Sequence, residues 1–119
     1  MQRRWIALAG ALGGVCVAIA AYAATRTVAA VTVTNSSAQA LAAVAGSRLF
    51  LSIDNESTTA TIACAFSAPA AINTAGSYTI APGMTRVWGA GTPEIPVPGG
   101  AVNCISSAAT SPATIESIP

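Results

Sequence analysis

Histidine and lysine are absent from this chain of 119 residues, and only four carboxylates are present, Asp54, Glu56, Glu94 and Glu116. Without imidazole there is no Ser-His-Asp triad, no Cys-His dyad and no histidine ligand for zinc or haem. Charged residues make up 8% of the sequence, against roughly 25% in soluble domains. Every cation is an arginine, and two of the five, Arg3 and Arg4, lie at the start. From residue 5 onward Arg26, Arg48 and Arg86 stand against the four carboxylates, a net charge of −1 that supplies no basic footprint for nucleic acid. Aromatics are scarce as well, and the 53% hydrophobic content comes largely from alanine. A chain of this length makes one domain with a modest core.

What is present divides at about residue 24. Trp5 to Ala24 is a run of twenty residues without a charge, preceded by Arg3 and Arg4 and ending in Ala21-Tyr-Ala-Ala24. A basic start, an apolar stretch and a small-x-small site after Ala23 are the three parts of a secretory signal. The same length suffices for a retained helix crossing a bilayer, so a cleaved signal and a membrane anchor both stand, with a buried helix the third reading. The absence of a polar face excludes a soluble amphipathic helix. Cys16 follows Gly13-Gly-Val15 and lacks a lipobox; it reads as an apolar filler. Residues 1–24 are therefore expected to form a hydrophobic signal or anchor helix, and 25–119 a separate domain.

Beyond Thr25 the pattern changes to period two, with short Val-, Ile- and Thr-rich runs between Gly, Pro, Asn and Ser clusters. Strands are expected at Thr27 to Thr34, Ser47 to Asp54, Thr59 to Phe66, Ser77 to Ile80, Met84 to Trp88, Ala101 to Ser106 and Ala113 to Ser117. Leu49, Leu51 and Ile53 share one face, opposite Arg48, Phe50, Ser52 and Asp54. Asp54-Asn-Glu-Ser57 supplies turn chemistry, so the second and third runs read as a hairpin. Ser37 to Gly46 fits a helix or an irregular strand, and Gly89 to Gly100, with three prolines and four glycines, is a loop. These features define an all-β chain: a small antiparallel β-sandwich, jelly-roll-like, preceded by the hydrophobic helix.

Cys64 and Cys104 each share a strand face with apolar residues, Ile62 and Phe66 in one case and Val102 in the other. In an exported chain two such cysteines are expected to pair, the alternative being two buried thiols. There is no Cys-x-x-Cys and no partner ligand for a metal. Asp54 and Glu56 flank Asn55 in a manner that suggests calcium or paired catalytic carboxylates, but turn chemistry is the simpler account. Asn35-Ser-Ser37 and Asn55-Glu-Ser57 match the glycosylation sequon. Trp88, before a glycine and proline loop, is a core or loop-packing residue, or a binding aromatic. No catalytic, cofactor or metal residue is assigned, and an enzyme is not expected.

Val97-Pro-Gly-Gly-Ala-Val-Asn-Cys-Ile-Ser-Ser-Ala-Ala109 and Ala113-Thr-Ile-Glu116 resemble the ending of many small virion proteins of tailed bacteriophages. Arg48-Leu-Phe-Leu-Ser-Ile-Asp-Asn-Glu-Ser57 and Ile80-Ala-Pro-Gly83 resemble an Arg-x-x-Leu-x-Ile-x-Asn strand and a Pro-Gly turn of the same group. The resemblance spans roughly residues 27 to 117. It implies a β-sandwich that decorates a capsid or associates with a vertex or tail, with other virion proteins as partners, oligomeric in assembly, and located in the virion. The export-like start and the cysteine pair depart from that group. They point to the alternative of a secreted or membrane-tethered bacterial binding or adhesion module, touching the membrane through Trp5 to Ala24. Neither reading involves a cofactor or nucleic acid.

Overall fold

The computed structural model of the chain describes residues 26–89 and 97–119. The hydrophobic segment 1–24, Cys16 and Glu94 lie outside the described residues. Eight strands follow in order: β1 (Thr27–Thr34), β2 (Ala38–Leu41), β3 (Phe50–Asn55), β4 (Ile62–Phe66), β5 (Tyr78–Ile80), β6 (Thr85–Gly89), β7 (Val102–Ser106) and β8 (Thr110–Ile118). They form two four-stranded antiparallel sheets, ordered β1-β8-β3-β6 and β2-β7-β4-β5. The pairing is nested: first strand with last, second with seventh, third with sixth, fourth with fifth.

Period-two alternation positions the core between the sheets. Along β8 the inward residues Ser111, Ala113, Ile115 and Ser117 are buried while their neighbours are not. Val33, Leu51, Ile53, Ala113 and Ile115 from the first sheet meet Ile62, Cys64, Ile80, Val102 and Cys104 from the second. Each fully buried Val, Leu or Ile contributes about 1.5–3 kcal/mol. Trp88 closes one end of this layer at 1% exposure.

Three sequence expectations change. The 54–61 segment is not a hairpin turn, because β3 and β4 belong to different sheets; the same Asp, Asn and Ser chemistry that closes hairpins here turns the chain across the sandwich. Arg48 and Leu49 exchange places. The regular strand begins only at Phe50, and a bend at Leu49 leaves that leucine 48% exposed and Arg48 buried. Finally, β8 starts three residues earlier than expected and runs through Pro112. A proline within a central strand normally costs a ladder bond. Here it falls opposite Glu56, one residue past β3, and the Pro112 carbonyl still accepts from Glu56 N at 3.1 Å. The ambiguous 37–46 segment is strand β2 followed by a loop, not a helix.

Candidate functional site

Cys64 and Cys104 form a disulfide across β4 and β7, with Cα atoms 4.2 Å apart. Ser67 N donates to Ala101 O and Ser107 N to Thr61 O. These bonds bracket the β4–β7 ladder and make the odd-numbered residues its hydrogen-bonded pairs. The cysteines therefore occupy a non-hydrogen-bonded pair, where side chains approach most closely. Both are 2% exposed, with their sulfurs in the core rather than at the surface. Burial makes the bond a structural cross-link; a redox site needs access for an attacking thiolate.

The three described carboxylates do not converge. Asp54 accepts from the Thr85 hydroxyl on the β6 side of β3, whereas Glu56 accepts from Thr114 Oγ1 at 2.8 Å on the β8 side. Glu116 forms an ion pair with Arg26. Among the described residues no group of three or more metal-binding side chains occurs. Asn55, between the two acids, is buried and saturated: Nδ2 donates to Ala60 O at 2.8 Å and Ile80 O at 2.9 Å, and Oδ1 accepts from Ser57 N at 3.1 Å. Its sequon is thus inaccessible, because glycosylation requires that same Nδ2. Asn35 in the other sequon is exposed.

Two arginines carry structure that the sequence pattern did not disclose. Arg48 is 2% exposed, and its guanidinium donates to the carbonyls of Ala42, Pro98 and Gly100. With Arg48 N donating to Val97 O at 3.0 Å, one residue ties the loop after β2 to the segment entering β7. No carboxylate pairs with it among the described residues, and burial pushes the guanidinium below its ordinary pKa. Arg86 lies over the Tyr78 ring at 4.7 Å and over Trp88 at 5.6 Å. Phe66, Tyr78 and Trp88 meet edge to face at 5.3–5.8 Å, joining β4, β5 and β6 across the two sheets. Trp88 is consequently a core residue. The sequence pattern places Phe66 on an inward strand face and offers Trp88 as a core residue, but gives no sign that they cluster with Tyr78 and Arg86.

Two small concavities lie among the described residues. A cleft of about 50 Å³ lies between β1 and β2, and an open groove of about 240 Å³ is lined by Thr79, Ile80, Ala81, Met84, Thr85 and Arg86. Both fall below the roughly 300–1,000 Å³ of small-molecule sites. The chain matches no protein-family model and no curated protein.

Proposed function

We propose that residues 25–119 form a jelly roll acting as a non-enzymatic structural domain of a virion, decorating a capsid or associated with a vertex or tail, behind a signal or anchor helix at residues 1–24. The observation that carries this reading is the nested strand order, which is that of an eight-stranded jelly roll, an architecture used in viral capsids and in lectins. The phage-like wording of residues 48–57 and 97–116 supports it, since fold alone does not specify function. The described carboxylates, engaged with hydroxyls or with Arg26, and the small described concavities suit an assembly surface better than a catalytic one. Immunogold labelling with an antibody against the 25–119 domain is expected to mark particles from an induced culture. Label confined to host envelope fractions sinks the proposal.

The disulfide favours a second reading, an exported bacterial binding module, because such bonds persist in oxidising compartments. Mass spectrometry of the mature N-terminus separates the cases. A chain beginning at Ala24 in the periplasm or medium supports export, and intact Met1 in purified particles supports the virion.

A further inference from the structure

The four edges of the two sheets are unequal. β5 is three residues long, β2 is four with a register shift between Gln39 and Leu41, and β6 carries Arg86. β1 is eight residues, Thr-Val-Ala-Ala-Val-Thr-Val-Thr, with neither charge nor proline. Long, flat, uncharged edges are the kind that soluble proteins ordinarily blunt.

The backbone groups on this edge can be assigned. The Glu56 N to Pro112 O bond continues the β3–β8 register, so the even-numbered residues of β8 direct their backbone groups toward β3. The odd-numbered residues of β8 then bond to β1, through Thr27, Ala29, Val31 and Val33. Val28, Ala30, Thr32 and Thr34 are left with N–H and C=O groups directed away from the sheet, and all four residues are exposed. Among the described residues no backbone hydrogen bond reaches this edge from a neighbouring segment.

We propose that β1 pairs with β1 of a second copy, antiparallel about a two-fold axis at Val31, making one continuous eight-stranded sheet. In this register Val28 faces Thr34 of the second copy, Ala30 faces Thr32, and the reciprocal pairs repeat the pattern. Every outward N–H and C=O of the four residues is then used, in eight hydrogen bonds. Val31 meets Val31 of the second copy in a non-hydrogen-bonded position. Val28, which is 62% exposed in the single chain, gains Thr34 of the second copy as a cross-strand neighbour on the outer face of the sheet. Arg26 falls opposite Ser36 of the second copy, so the two cations lie at opposite ends of the seam with no like charges opposed. Every side-chain pair from Val28 to Thr34 in this register is small or β-branched and no like charges are opposed, so a second copy of the same strand fits the edge without a clash. This pairing stands whether the domain serves a virion or a cell envelope.

The test is sedimentation equilibrium of the full chain in mild detergent, compared with T32P and A30K. The Thr32 N–H faces outward, so proline there removes two bonds from the seam and none from the β1–β8 ladder. Ala30→Lys leaves the ladder intact and brings four-carbon cations together across the seam. Wild type is expected to dimerise, with T32P weakening self-association on the order of 30-fold and A30K also shifting it toward monomer. Val31→Cys combined with Cys16→Ala is expected to form an oxidised dimer faster than Val28→Cys in the same background, since directly opposed non-hydrogen-bonded positions lie within disulfide reach. A monomeric wild type overturns the proposal. So does a dimer unchanged by both T32P and A30K, or faster cross-linking at position 28 than at 31.

Discussion

Cys64 and Cys104 stand directly opposite each other on adjacent central strands of one sheet, and their bond closes 40 residues of chain that include β5 and β6. β5 pairs in the same sheet as the cysteines while β6 pairs in the other, so the closed loop spans both layers. Closing a loop of that length removes denatured-state entropy equivalent to about 4 kcal/mol at 25 °C. Replacing both cysteines with serine also buries two hydroxyls, and the expected destabilisation is about 3–5 kcal/mol by urea denaturation. Thiol titration of the denatured domain is expected to find none before reductant and two after. Two reactive thiols before reduction, with a melting curve indifferent to reductant, count against the cross-link and against an oxidising destination.

Arg48→Met is expected to cost about 2–4 kcal/mol, although it removes a buried cation that lacks a carboxylate partner. The reason is the three carbonyls of Ala42, Pro98 and Gly100, which lose their donors while remaining inside. Arg48→Lys is expected to recover only part of this loss, since an ammonium on a flexible stem does not reproduce the planar fork that spans acceptors on two loops. Hydrogen exchange checks the mechanism: Val44 N, which donates to Gly99 O at 2.8 Å, is expected to lose protection before the amides of β3 and β8 do.

How far the sequence discloses this architecture depends on the range of the interaction. β1 is recovered residue for residue because alternation and turn signals are local. The pairing of β3 with β8 and β6 is not, since Asp54-Asn-Glu-Ser57 has the same turn chemistry whether the chain folds back in one sheet or passes to the other. Arg48 is buried against the local alternation because of a one-residue phase change at the Leu49 bend, next to a bridge from Arg48 to the distant Val97. The cysteine pair was legible because each cysteine shared a face with apolar neighbours. Which groups of β1 face the open edge depends on the hydrogen-bond parity of β8, a long-range relation that no local pattern carries.

Gly99→Ala is expected to destabilise the domain by about 1–3 kcal/mol or more. A Cβ at Gly99 would overlap the carbonyl oxygen of Gly46, and the loops on both sides are tied together through Arg48. The neighbouring loop therefore has to move as a whole. Gly76→Ala is the comparison: its backbone is left-handed, at φ +93°, but nothing lies within 4 Å of the added carbon, so only conformational strain is incurred. Thermal melts of the two variants are expected to rank Gly99→Ala as the less stable, and the opposite order would remove the close approach as the reason for glycine at position 99.

Asn55→Asp is expected to be the most pH-sensitive change in the chain. The substitution exchanges an Nδ2 that donates to two carbonyls, those of Ala60 and Ile80, for a carboxylate oxygen facing both in a site 2% exposed. At neutral pH the loss of two donors and the burial of a charge against acceptors are expected to cost about 3–5 kcal/mol. Desolvation and the facing carbonyls both disfavour the ionised form, so the folded-state pKa of the introduced carboxyl rises above the unfolded value of roughly 3.9. A raised acid binds its proton more tightly in the folded state, so this group's stability deficit shrinks as pH falls through the folded pKa. It is greatest above that value. Urea midpoints of variant and wild type, measured from pH 8 down to pH 4, are expected to converge toward the acid end. Parallel curves across that range would mean that the carboxylate has turned to solvent and that Asn55 does not hold the β3–β4 crossing through its side chain.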